Sequence, residues 1–218
     1  MGALIRDPRF VATTFIVLDF ESTTPAGQPP EPIEVAAVGL RRADSSWQRT
    51  ATFSSLIRPP SHAPITLSDV QQTGITRAMV ADASPAGDVL ARLDARLTAG
   101  PYLLVAHNAP TEAGCLHAYR EACPTLSRTH LLCTVRLARH LLPGFSYGYG
   151  LDALINHFAL PRPHQRHRAM PDVEATVELF QRLVELADEA GAPGSLDALM
   201  HHAGYVAKAT RPVQEPIF

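Results

Sequence analysis

Apolar runs separated by turn-forming residues organise the chain. TFIVLDF (14–20) is β-branched and aromatic over most of its length and reads as a strand. A Pro-rich polar loop (25–32) leads to a second strand, IEVAAVGL (33–40). RRADSSW then supplies turn residues before a third strand at 49–57. Three strands joined in this way predict an antiparallel meander, with Trp47 exposed in its hairpin. Helical spacing follows: Val89, Leu90, Leu93 and Leu97 recur at i, i+3/i+4 after Ser84-Pro85, and Gly100 closes the segment. YLLVAH is a fourth strand, 110–122 a helix, and LLCTV a short fifth strand leading into RLARHLL. Over 171–190, Val173, Val177, Phe180, Leu183, Val184 and Ala187 share one helical face, and Gly191 and Pro193 end it. LDALMHHAG predicts a further short helix, and KATRPVQEPIF an extended tail. A meander followed by strand–helix units is the pattern of an α/β domain with a mixed sheet between helices.

Composition narrows the classes. The chain has 218 residues, 46% hydrophobic and 18% charged, enough for one compact domain and too apolar for wholesale disorder. No apolar run reaches the length of a membrane span, and MGALIRDPRF lacks the core of a signal peptide, so a cytoplasmic location without a membrane partner is expected. Three cysteines, Cys115, Cys123 and Cys133, form no CxxC pair and argue against a disulfide framework or a zinc knuckle. A net charge of -2 argues against sliding along a duplex. It allows brief contact with a short segment or an end, where a local basic patch or bound cations neutralise a few phosphates.

The candidate chemistry lies in carboxylates. Asp19 and Glu21 stand two apart at the end of the first strand, so they project to one face while Phe20 points to the other. Two like charges so close repel unless a cation lies between them, and a hard divalent ion suits carboxylate oxygens. A pair of solvated acids at a strand end is the bland alternative. Asp172 at a helix start and Glu112 in a first turn are each favoured by the helix dipole alone, with Asn108 a candidate N-cap before Pro110. His107 has an equally ordinary role as a loop-orienting side chain. His167 differs, because it lies in the polar segment HQRHRAMPD, where an imidazole near a metal-bound water can act as a base.

Taken in order, VLDFESTT, EPIEVAAVGL, TLSDVQQTGIT, LVAHNAPTEAGCL, CTVRLARHLLP and HRAMPDVEATVELFQRL resemble the DEDDh (DnaQ-like) 3'-5' exonucleases, which have a ribonuclease-H-like fold. The resemblance covers residues 13 to about 190. It implies a five-stranded mixed sheet, a three-stranded antiparallel meander plus parallel strands, flanked by helices. Residues 1–12 would be an N-terminal extension, 13–204 the exonuclease domain and 205–218 an extended tail. It implies two divalent ions, Mg²⁺ or Mn²⁺, held by Asp19, Glu21, Glu112 and Asp172, with His167 activating water. Phe20, Ser22, Thr23, His107 and Asn108 would lie at the terminal nucleotide. The expected activity is hydrolysis at single-stranded 3' ends of DNA, and less readily RNA. Alternatives are a phosphodiesterase or phosphatase acting on short oligonucleotides or a nucleotide-like metabolite, or a catalytically decayed nucleic-acid-binding module. Two departures stand out. Thr111-Glu112 replaces the family's Phe-Asp, adding a methylene and removing an aromatic, and Cys133-Thr134 replaces Asp-Thr. The chain's end, QEPIF, with Gln214 before Ile217 and Phe218, resembles short sliding-clamp-binding peptides.

Overall fold

The computed structural model describes residues 2–43, 46–163 and 166–210. The end QEPIF lies outside the described residues, and so does His164. Among the described residues the strands form one mixed sheet in the order β3-β2-β1-β4-β5-β6. β1 (Thr14–Thr23) is central. It pairs antiparallel with β2 (Glu31–Ala43), which pairs antiparallel with β3 (Ser46–Leu56). On its other side β1 runs parallel to β4 (Tyr102–Ala106), and β4 runs parallel to β5 (Leu131–Cys133). The sheet therefore has six strands rather than the expected five. The addition, β6 (Gly204–Tyr205), is a two-residue edge antiparallel to β5, too short to leave an alternating pattern in the sequence.

Period-two alternation along β1 divides the core. Phe15 and Val17 face one helical layer, while Ile16, Leu18 and Phe20 face the other. Beneath the second face lie α4 (Ala86–Asp94), α5 (Pro110–Ala118) and α6 (Pro124–Arg128), after α1 (Pro8–Ala12), α2 (Leu67–Thr73) and α3 (Arg77–Val80) in chain order. α4 ends before the expected Gly100: the Asp94 carboxylate accepts from the Thr125 and Leu126 backbone N–H groups at the start of α6. The first face packs against α7 (Thr134–Leu141), α8 (Leu151–His157), α9 (Ala169–Ala190) and α10 (Leu196–Ala203).

α9 supplies the largest share of that layer. Val173, Val177, Phe180, Leu183 and Val184 are each at most 1% exposed, and side chains of this kind contribute roughly 1.5–3 kcal/mol apiece when fully buried. Gly191 closes the helix at φ 71°, a left-handed turn that glycine adopts without steric cost. The segment before β1 joins the same core: Leu4 and Phe10 are fully buried, and Asp7 accepts from the Leu196 N–H at 2.6 Å. Trp47 is not an exposed hairpin residue. β2 and β3 extend beyond the apolar runs, pairing Arg42 with Trp47, and the indole packs against Phe10, Phe15 and Phe180 at centroid distances of 6.0, 5.8 and 5.5 Å. No helix among the described residues is long and apolar enough to cross a membrane.

Candidate active site

β1 outruns its parallel neighbour. Its pairing with β4 ends at Val17↔Val105, so Asp19 and Glu21 stand beyond the last rung, at the strand ends where α/β sheets open a crevice. They continue the Phe15–Val17 row toward α9. A register shift between Glu21 and Ser22 then ends the alternation.

α9 brings Asp172 to these groups in its first turn. His167, at φ 60°, sits in the loop just before the helix and is exposed. One ligand atom from each of Glu21, His167 and Asp172 lies within 4.8 Å of the others. Glu112 arrives from the first turn of α5 and is 3% exposed, and its Oε2 is buried without a hydrogen-bond partner.

Asp19 is at the centre of the group. Burial raises its pKa well above the carboxylate range, and the charges of Glu112, Glu21 and Asp172 raise it further. Burial, then Asp172 and Glu34, push Glu21 up to about 7. Burial pushes Glu112 up to about 8. Asp172 is also raised, by burial, against the pull of Arg166. Four carboxylates that resist ionising together form a site short of positive charge.

Arg166 supplies part of that charge. Its guanidinium donates to Asp172 and, through Nε at 2.8 Å, to Asp152 on α8. One monovalent cation cannot balance four carboxylates. An all-oxygen donor set with an unpartnered buried oxygen on Glu112 suits hard divalent cations, so Asp19, Glu21, Glu112 and Asp172 are fitted to hold them.

Asp19, His107, Asn108, Arg139, Tyr149, Arg166 and Asp172 share one cleft of about 420 Å³. Burial, reinforced by Arg166, lowers the His107 pKa to about 4, which keeps the ring neutral at physiological pH. Its Nδ1 lies 2.9 Å from Thr134 Oγ1, so Thr134 of the departing Cys133-Thr134 pair fixes the imidazole. Asn108 does not cap α5 as expected. It adopts φ 73° and donates through Nδ2 to Thr111 Oγ1 at 3.1 Å, while Ala109 takes the cap position without a side-chain bond.

Two expected nucleotide-contacting side chains turn away from the cleft. Phe20 belongs to the opposite face by strand alternation and packs in the core with Ala109 and Ala113. Thr23 is fully buried and donates to the Glu31 carbonyl at 3.4 Å. Ser22 is half-buried.

Glu34 joins the site from outside the candidate carboxylates of the sequence motifs. It is 4% exposed, accepts from Arg168 Nε and Nη2 at 3.0 and 2.7 Å, and accepts from the Ala169 N–H at 2.9 Å. It thereby anchors the start of α9 between His167 and Asp172. A lone acid inside the apolar run IEVAAVGL was the available signal, since a buried charge is retained where it has partners.

The sequence profile described as Exonuclease (RNase_T) matches residues 16–180, which include every member of this cluster. The chain belongs to the exonuclease family. It is 33% identical over 184 residues to a Mycobacterium tuberculosis protein whose name assigns it exonuclease and endonuclease activities. It is 32% identical over 180 residues to a PolC-type DNA polymerase III of Bacillus subtilis. These matches cover 82% of this chain but only 28% and 12% of the two relatives, so the exonuclease domain spans a minor part of each. Among solved structures it resembles Exonuclease X in complex with 5' overhanging duplex DNA, with a TM-score of 0.60, 27% identity and coverage of 85% of this chain and 96% of that one. The nuclease domain of 3'hExo, a DEDDh member bound to rAMP, shares the fold at TM-score 0.69 and 18% identity, covering 84% of this chain and 96% of the other. The chain thus carries an exonuclease domain whose fold it shares with both of these solved nucleases.

Proposed function

We propose that this exonuclease removes nucleotides from single-stranded 3' ends, DNA in preference to RNA, using two divalent cations and His167 as general base. The convergence of Asp19, Glu21, Glu112, Asp172 and His167 at the open end of β1 carries this reading. Bound cations would supply Lewis-acid stabilisation of the attacking and leaving oxygens of an in-line displacement.

The chain's own residues do the rest. Asp19, flanked by Glu21 and Asp172 as well as Glu112, would help to hold the cations. Glu21 and Asp172 would hold a cation with it, and Glu112 would contribute a side chain one methylene longer than the family's aspartate. His167 accepts the proton of the attacking water, a task that suits imidazole near neutral pH. Neutral His107, locked by Thr134, and Asn108 orient the terminal nucleotide. The preference for DNA draws on the PolC relatives and on Exonuclease X.

A second reading, hydrolysis of very short oligonucleotides or a nucleotide-like metabolite, is favoured by the net charge of -2. It predicts faster turnover of dinucleotides than of longer strands. A decayed binding module would bind strands and cleave none.

The deciding experiment incubates 5'-labelled single-stranded DNA and RNA with Mg²⁺, Mn²⁺ or EDTA, alongside Asp19→Ala. The expected result is a metal-dependent ladder shortening from the 3' end, faster on DNA and absent in the variant. Full activity of Asp19→Ala would refute the assignment.

A further inference from the structure

A second hollow adjoins the cleft. The loop between α7 and α8, LPGFSYGYG (142–150), carries Phe145, Tyr147 and Tyr149, and α8 ends in His157. Phe145 contacts Tyr147, Tyr149 and His157 at ring-centroid distances of 5.6, 5.8 and 4.7 Å. Phe145, Tyr147, Ala153, Asn156 and His157 line a hollow of about 500 Å³. Tyr149 belongs to the row and also lines the cleft that holds Asp19, so the aromatic surface leads outward from the catalytic carboxylates. The Tyr149 hydroxyl donates to the Leu142 carbonyl at 2.7 Å, which ties the loop down.

Core packing accounts for part of this cluster, since Phe145 and Tyr149 rest on the core beneath α9. Tyr147 is different: it is 82% exposed. Its ring packs against Phe145 alone among the aromatic rings of the described residues, so it adds little to the fold. Guanidinium groups flank the row. Arg139 lies over Tyr149 at 5.5 Å, Arg182 lies over Phe158 at 5.8 Å beside His157, and Arg162 donates to Asn156 in the hollow's wall. Exposed aromatic faces between cations match a flexible polyanion with planar bases, the pattern of sequence-tolerant single-strand binding. Arg182 is shared with Glu185 and Glu189, so Arg139 and Arg162 are the cations placed to meet phosphates.

We propose that Phe145, Tyr147 and His157 form a stacking subsite for a base upstream of the terminal nucleotide. The enzyme then demands an unpaired tail long enough to run from the cleft across Tyr147. A paired or very short end forfeits this contact. The inference deepens the proposed exonuclease reading and rests on it for the direction of the strand.

The test compares wild type, Tyr147→Ala and Tyr147→Phe on a single-stranded oligonucleotide and on the p-nitrophenyl ester of thymidine monophosphate, which is too small to reach the subsite. Tyr147→Ala should raise KM for the oligonucleotide on the order of tenfold, the loss expected of one stacked base. Its kcat and its activity on the ester should stay unchanged, and Tyr147→Phe should behave as wild type. Equal KM values for wild type and Tyr147→Ala on the oligonucleotide would overturn the subsite. A separate arm needs no cleavage. With Ca²⁺ in place of the activating metal, 2-aminopurine is placed at successive positions from the 3' end of the strand. Quenching at an upstream position by wild type and its loss in Tyr147→Ala would support the subsite even if neither substrate were hydrolysed. Identical fluorescence in the two proteins would refute it.

Discussion

Glu34→Ala separates the anchoring of α9 from the chemistry at its tip. The substitution strands the Arg168 guanidinium, whose side chain is 26% exposed, and leaves the N–H of fully buried Ala169 without its acceptor. Hydrogen bonds to a charged group contribute about 1.5–3 kcal/mol, and a lost helix cap costs about 0.5–2 kcal/mol. Partial exposure of Arg168 reduces the ion-pair share, so a net loss of about 2–4 kcal/mol is expected. For a chain of this size each kcal/mol lowers Tm by about 2–4 °C, giving a fall of about 5–15 °C. His167 lies one residue before Arg168, and Asp172 lies four after it. A displaced helix start therefore misplaces both, and a misplacement of about 1 Å can cost on the order of 100-fold in rate. Thermal melts and kcat on a single-stranded oligonucleotide check both effects, with Glu34→Gln expected to fall between wild type and Glu34→Ala. If Glu34→Ala melted within 2 °C of wild type (about one kcal/mol) and kept its kcat, the anchoring role would be wrong.

Three further expectations follow from the same cluster. Arg166→Gln removes the guanidinium that competes for Asp172; it should lower Tm in EDTA and tighten Mn²⁺ binding several-fold, read by calorimetry without substrate, and weaker Mn²⁺ binding would contradict the competition. Glu112→Asp restores the shorter family carboxylate and should shift the Mg²⁺-to-Mn²⁺ activity ratio while leaving Tm nearly unchanged; an identical ratio would show that the methylene is inert. In the metal-free protein, Glu21 and Glu112 hold protons up to about pH 7 and 8 against an ordinary 4.5, so the folded state binds more protons and stability falls as pH rises through that interval. His107 acts below pH 6.5 in the opposite sense, because its depressed pKa makes protonation favour the unfolded chain. The clean window is pH 6.5–8. There Tm in EDTA should drop and saturating Mg²⁺ should flatten the slope, whereas a level EDTA curve would remove the case for clustered carboxylates.

The elements that carry the site were legible because their periodicities are local. Alternation in TFIVLDFE (14–21) puts Asp19 and Glu21 on one face, and the helical stripe of 171–190 sets Asp172 at its start. The same alternation already turned Phe20 away, and only the family resemblance put it at the nucleotide. What escaped depends on pairing across long stretches of chain. Glu34 and Arg168 are 134 residues apart, and no local pattern joins them. Trp47 reads as a polar-hairpin residue until Phe10 and Phe180 are folded over it. β6 is two residues long, below the length at which alternation exists. Arg166, in a segment full of histidines and arginines, carries no mark that distinguishes it from a solvated neighbour.

The row Phe15, Val17, Asp19, Glu21 lies along α9, whose lower turns bury Val177 and Phe180 and whose first turn presents Asp172. One helix–strand contact thus serves as core at one end and sets the spacing of the carboxylates at the other. Drift in the buried lower half, through a larger or smaller residue at position 177 or 180, tilts the helix and resets the carboxylate spacing with every ligand intact. With cations held there as proposed, conservative core substitutions would alter cation preference, and a comparison restricted to the acidic residues would miss the change.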